Sequence, residues 1–296
     1  MKILAGGENR IRIAVVSTAI AGILIISSAG FFIYDTVPNA PSPYLISTLI
    51  GNISNPSPRY NTTYGFVSPN LWNFQQGKGN ATMYLYSNSS IFTKVNLSNT
   101  TQGTPVMAYS SIHFTYGLPL SLTNAVTGNL SSFVSFHLGQ KNYGAFNDFG
   151  YDLFLGNNSD LTYEIMILFN MTPTGYTTRY SYPVVSIPIF INGIQRNIQW
   201  QVIPIVSQTP GVSGAVRFTP VQSLNSSMNC TIDFPFFFKY LESRGEISPS
   251  WSIVRLGVGS EYGATYSSRI DYSFWMNAYF VMNGTKYQVV QTSEVG

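Results

Sequence analysis

From Leu161 to Phe169 the chain alternates so that Leu161, Tyr163, Ile165, Ile167 and Phe169 share one wholly apolar face, while Thr162, Glu164, Met166 and Leu168 share the other. The period predicts a strand with one face in a core. On the other face a lone carboxylate, Glu164, stands among apolar neighbours, where ionisation is disfavoured unless a partner or solvent compensates. Such an acid is either paired for structure or used for chemistry, and the pattern alone leaves both open. A second stretch, Trp251 to Gly263, has the same character: Ile253, Arg255, Gly257, Gly259 and Glu261 fall on one face, with Val254, Leu256 and Val258 toward the core. Glycine inside a strand marks close approach by a ligand or another backbone; the alternative is a bulge or tight turn.

Short alternating segments separated by turn signals continue through the chain, at Ala81 to Tyr86, Val106 to His113 and Ser131 to His137. Pro183 to Ile191 and Ile194 to Val206 flank Asn192-Gly193, the pair that accepts the positive φ of a type I′ hairpin turn. The last long strand, Ile270 to Met282, puts Tyr272, Phe274, Met276, Ala278 and Phe280 on one face and Asp271, Ser273, Trp275, Asn277 and Tyr279 on the other. The second face reads equally as a sugar platform or as an outer solvated surface with Trp275 under a loop. One helix interrupts the strands: Asp233 as N-cap, Pro235 in the first turn, Phe236, Phe237, Phe238 and Leu241 at helical spacing, and Gly245 as stop. Many short strands and one helix predict an all-β sandwich or barrel.

The N-terminus changes the picture of domains. Lys2, Arg10 and Arg12 precede an uncharged stretch from Ile13 to Tyr34, longer than the 7–15 apolar residues of a cleaved signal. Residues 1–34 are therefore expected to be a membrane anchor or signal helix with the rest of the chain outside the cell. Residues 35–63, rich in Pro, Ser and Asn, read as a linker, and 64–296 as the globular domain. Acceptor motifs such as Asn61, Asn88, Asn129, Asn229 and Asn283 recur along the exported part and suit a glycosylated surface.

Composition then excludes several classes. Charged residues are only 9% of the chain and the net charge is +3, with no Lys/Arg cluster beyond the N-terminus, which argues against a nucleic-acid partner. Cys230 is the only cysteine, and His113 and His137 the only histidines, so neither a disulfide nor a Cys/His metal centre is expected. A surface so poor in carboxylates suits an acidic medium.

The motifs coincide with a known family. The chain resembles glycoside hydrolase family 12, the small β-jelly-roll endoglucanases, from about Gly65 to Met282. The resemblance is carried in order by Asn70-Leu71-Trp72, Tyr151-Asp152-Leu153-Phe154, Tyr163-Glu164-Ile165-Met166-Ile167, the single helix, and Gly259-Ser260-Glu261-Tyr262-Gly263. It departs where the family commonly has Trp, here Leu168, and Pro, here Ser110. What it implies is a jelly-roll sandwich of two antiparallel sheets and a monomeric endo-β-1,4-glucanase that retains anomeric configuration and needs no cofactor or metal. Glu164 is the implied nucleophile and Glu261 the acid/base, with Asp152 tuning Glu164. Met166 lies under the −1 sugar, and Asn70 and Trp72 help form the minus subsites; Tyr116 and Trp275 complete the candidate polysaccharide contacts. Retention needs two carboxyls about 5–5.5 Å apart, so that the charge of one holds the other protonated. Two rivals remain: a catalytically silent glycan-binding sandwich, and a hydrolase preferring xylan, xyloglucan or mixed-linkage glucan.

Overall fold

The computed structural model describes residues 44–48, 59–71, 78–98, 104–141, 145–157, 160–172, 182–207, 209–264 and 269–289. The chain divides at Ser42/Pro43 into two units, and all of these residues belong to the second. Residues 1–34 lie outside them, as does Trp72; among the described residues no helix is long and apolar enough to cross a membrane.

The second unit opens with β1 (Tyr44–Thr48), β2 (Tyr60–Thr62) and β3 (Gly65–Ser68), followed by β4 (Lys78–Leu85), β5 (Ser90–Ser98), β6 (Thr104–Phe114) and the short β7 (Leu120–Ser121). A helix, α1 (Leu122–Thr127), leads to β8 (Ser131–Lys141), β9 (Ala145–Asn157) and β10 (Asp160–Thr172). Next come β11 (Val184–Ile191), β12 (Ile194–Ile205), β13 (Gly214–Pro220) and β14 (Ser227–Asp233). The helix α2 (Phe234–Ser243) precedes β15 (Ser252–Ala264), β16 (Arg269–Met282) and β17 (Thr285–Gln288).

Hydrogen-bonded neighbours run β2-β3-β6-β15-β9-β10-β13-β12-β11 in one half of the sheet. The other half runs β14-β8-β16-β5-β4-β1. The expectation of two separate antiparallel sheets is corrected in two respects. Phe190 and Ile191 of β11 pair with Thr231 and Cys230 of β14, so the halves are one continuous sheet. In addition β10 and β13 run parallel. The linker expectation also changes, because β1 and β2 fall inside residues 35–63 and pair with β4 and β3.

The halves pack face to face. Phe149 of β9 stacks on Phe136 of β8 with ring centroids 4.2 Å apart and meets Phe274 of β16 edge-on at 6.2 Å. The tyrosine hydroxyls in this interior are satisfied: that of Tyr151 donates to Ser132 Oγ at 2.7 Å, and those of Tyr262 and Tyr272 meet Ser110 Oγ at 3.1 Å and Ser260 Oγ at 2.8 Å. Helix α2 forms where Pro235 suits the first turn, and it ends before Gly245 at φ 70°. It buries Phe234, Phe237, Phe238 and Leu241; Phe236, off that stripe, is exposed. Asp233 occupies the N-cap position without a side-chain capping bond. The turn at Asn192-Gly193 has φ 51° and 80°, as the type I′ hairpin requires. The same signal at Asn283-Gly284, φ 52° and 74°, adds β17 beyond the strand expected to end at Met282.

Candidate active site

Parity fixes the site. On β9, Phe149, Tyr151, Leu153 and Leu155 enter the core, so Asp148, Gly150, Asp152 and Phe154 face the other way. On β10, Ile165, Ile167 and Phe169 are core, and Glu164, Met166 and Leu168 share the face of Asp152. β15 differs from the simple alternation, since its register with β9 shifts between Ile253 and Arg255. The extra residue, Val254, lets Ile253, Leu256 and Val258 all reach the core, so Ile253 leaves the face on which alternation alone placed it. Arg255, Gly257, Gly259 and Glu261 then share the site face. Tyr109 of β6 is Glu261's cross-strand partner.

The glycines of β15 do not clear a floor for a ligand. A Cβ on Gly257 would sit 3.0 Å from the His113 ring and 3.4 Å from the Tyr109 hydroxyl, and one on Gly259 2.2 Å from the Ser110 carbonyl. Gly259 pairs with Gly150, whose own Cβ would lie 2.1 Å from the Ile167 carbonyl. Glycine is needed because β6 and β10 press on β15 and β9 at this row. Gly259→Ala is therefore expected to destabilise the fold by about 1–3 kcal/mol through overpacking against backbone, read as a lower denaturation midpoint in urea.

The acids interact. Asp152 is pushed well above the usual carboxylate range, first by burial, then by the charge of Glu164 and by a hydrogen bond to it, with Arg255 acting against the shift. Glu164, 8% exposed, is also raised by burial, while hydrogen bonds with Ser207 and Asp152 pull it back down. The proton therefore rests on Asp152, which donates to Glu164 and keeps it the carboxylate. Glu261 is held well up, first by burial, then by the charges of Asp148 and Asp152, a hydrogen bond to Asp148, and the charge of Glu164. Glu261 is thus held up further than Glu164, whose ionised form the hydrogen bonds from Ser207 and Asp152 favour. His113, stacked on Phe66 at 4.6 Å and held by Ser111 Oγ at 2.8 Å, is lowered to about 3 by burial and by Arg59 and Arg255. It is neutral and donates no charge to the site.

Several buried polar atoms of this group have no hydrogen-bond partner among the described residues: Asp148 Oδ2, Asp152 Oδ1, Glu164 Oε2 and the Tyr109 hydroxyl. These four lie around the acid group, where a ligand's hydroxyls could supply the missing hydrogen bonds.

Of the residues singled out from sequence, Glu164, Glu261 and Asp152 come together. Met166 lies beside them in a small apolar cluster with Phe146, Leu168 and Met171. Asn70 adjoins the site through its carbonyl, which accepts the Tyr109 backbone N–H at 3.0 Å. Trp72 lies outside the described residues. Tyr116 and Trp275 are not brought in. Tyr116, 59% exposed, follows β6 in a turn and packs against Tyr64 and Tyr287 at the rim of an apolar cavity that holds none of the acids. Trp275 points away from the core between Phe274 and Met276, on β16 in the opposite half of the sheet, so its face is an outer one there. Residues that sequence patterns passed over are Asp148, Tyr109, Ser207 and Arg217, of which Arg217 draws Asp148 down. Asp148 was findable, standing four residues before Asp152 on the same face; Ser207, in a loop, carried no signal.

No family model and no curated sequence matches the chain. Solved structures do match it. A family 12 xyloglucanase from Bacillus licheniformis, in complex with ligand, is 20% identical at a TM-score of 0.59, covering 80% of this chain and 98% of its own. Endoglucanase 3 of Trichoderma harzianum, from family GH12, is 18% identical at 0.56, covering 84% and 100%. The xyloglucanase domain of a type three effector from Sinorhizobium fredii, in complex with cellobiose, is 16% identical at 0.57, covering 80% and 99%. At these identities the likeness is one of architecture, and the domain has the fold of the family 12 glycoside hydrolases.

Proposed function

We propose that the protein is a retaining glycoside hydrolase that cleaves within β-1,4-linked glucans, with Glu164 as nucleophile and Glu261 as acid/base. The observation that carries this is the pair of acids on one sheet face, Glu164 with its ionised form favoured by hydrogen bonds from Ser207 and Asp152, and Glu261 with its proton held by burial and by the neighbouring acids. Glu164 attacks the anomeric carbon as Glu261 passes its proton to the departing oxygen, so a C–O bond to the enzyme forms and the glycosidic bond breaks. Glu164, now an ester, no longer adds its charge to the burial and neighbouring acids that hold the proton on Glu261. Glu261 is then the base for the water that cleaves the ester and restores both groups. Asp152 steadies the free oxygen of Glu164, and Met166 and Asn70 bound the sugar beside it.

Xyloglucan is the second reading. Leu168 stands on the site face beside Met166 where the resemblance has an aromatic side chain, so the stacking surface that an aromatic would offer a glucan is missing there. Export to the cell exterior, tethered by the N-terminal segment, fits both readings, since these polymers do not enter cells; the support is the charge and apolar pattern of residues 1–34. Reducing-sugar release from carboxymethyl-cellulose, mixed-linkage glucan, xyloglucan and xylan tests the proposal. The expected result is release from at least one β-1,4-glucan, with the β-anomer appearing first by NMR. Binding without release from any of the four would leave only a silent glycan-binding sandwich.

A further inference from the structure

The acid chemistry proposed above turns on where Glu261 keeps its proton, and Asp148 lies closest to that question. The register sets Asp148 across from Glu261, between the pairs Gly259 with Gly150 and Tyr262 with Asn147. Its Oδ1 accepts the Glu261 backbone N–H at 3.4 Å, and the two side chains hydrogen-bond to each other. The Asp148 carbonyl accepts from Ser260 Oγ, whose hydroxyl also meets the Tyr272 hydroxyl at 2.8 Å. Main chain and side chain of Asp148 therefore both grip the Ser260-Glu261 step. The residue is 2% exposed, and its Oδ2 has no hydrogen-bond partner among the described residues. For structure alone, an amide would satisfy the same backbone N–H without burying a second acid.

We propose that Asp148 is a positioning residue for Glu261, fixing its carboxyl on the site face and setting the alkaline limit of the reaction. The proposal rests on the hydrolase reading. Groups facing the pair are Asp152 on the same strand, Glu164 of β10, Tyr109 of β6, Tyr272 of β16 and the cation Arg217 of β13. Arg217 does not outweigh burial, which holds the Asp148 carboxyl up from 3.8 to about 7. The two carboxyls titrate as a unit, and with one proton between them Glu261 donates and Asp148 accepts. The Asp148 charge makes that proton harder to remove and, once Glu164 is esterified, keeps Glu261 a stronger base.

The test is the pH profile of kcat/KM on the best polysaccharide for wild type, Asp148→Asn, Asp148→Glu and Asp148→Ala, beside a 13C NMR titration of the Glu261 carboxyl in each. Asp148→Asn keeps an oxygen for the Glu261 N–H and removes only charge. Its alkaline limb and its Glu261 midpoint are expected to fall together by about one unit or more. Asp148→Glu is expected to return both toward wild type, and Asp148→Ala to add a kcat loss of about tenfold from lost positioning. Coincident Glu261 midpoints in wild type and Asp148→Asn would overturn the proposal. If wild type releases no sugar, the hydrolase reading fails by itself, and the NMR titration still decides the Asp148–Glu261 coupling.

Discussion

Glu164→Gln is expected to lower hydrolysis of a natural β-1,4-glucan by about 10⁴-fold or more, and Glu261→Gln by about 10²–10⁴-fold. The two losses differ in kind. A glutamine at 164 cannot form the glycosyl ester, so no leaving group rescues it. A glutamine at 261 only withholds a proton, so an aryl glucoside whose phenolate departs unaided should recover most of the first step. Azide sharpens the contrast. With Glu164→Gly it should enter from the nucleophile's side and give the inverted glycosyl azide; with Glu261→Gly it should intercept the glycosyl-enzyme and give the retained one. Neither loss should come from unfolding, because Glu164→Gln removes a charge from a buried acidic group and Glu261→Gln replaces an already neutral carboxyl with an amide of the same shape. A double variant should lose far less than the product of the single losses, since the residues act as a unit. Equal recovery of both variants on the aryl substrate would reverse or abolish the assigned roles.

How much of this was legible beforehand follows from the range of each signal. Period two put Glu164 opposite Ile165 and Ile167, and Glu261 opposite Val258, because parity is local to a strand. The turn at Asn192-Gly193 was equally local. The crowding of Gly257 and Gly259 was not, because the neighbours that fill their space, His113 and Ser110, lie in β6, well over a hundred residues earlier. Trp275 was assigned correctly to the face of Asn277 and Tyr279, but no pattern tells which half of a curled sheet carries β16. Nor does composition reveal β1 and β2: a Pro-rich stretch reads as linker, and Tyr44 to Thr48 shows no period-two alternation that would mark it as a strand, while edge strands tolerate the prolines around them. Val254 illustrates the cost of a single inserted residue, which moved Ile253 from one face to the other.

Thermal stability is expected to be higher near pH 4 than near pH 8, by several degrees. Asp148, Asp152, Glu164 and Glu261 all have folded values raised above those of the unfolded chain. Between about 4 and those raised values the folded state binds more protons, so the stability they contribute is complete below about 4 and is lost as pH climbs through about 7 and beyond. His113 works in the opposite sense: lowered from 6.5 to about 3, it costs stability as pH falls below 6.5. Magnitudes decide between them. From pH 8 to 4 His113 costs at most about 3 kcal/mol, which Asp148 alone offsets at about 1.4 kcal/mol per unit, and Asp152 and Glu261 add to the same side. Because the carboxyls are coupled, their sum is worth a few kcal/mol, or roughly 5–10 °C in Tm for a domain of this size. Calorimetric scans at pH 4, 6 and 8 should show Tm falling with pH in the wild type, and a shallower fall in Glu261→Gln, where one of the four acids no longer titrates. A Tm that instead rises from pH 4 to 8 would mean that the four carboxyls are ionised within the fold, and that Glu261 holds no proton to give.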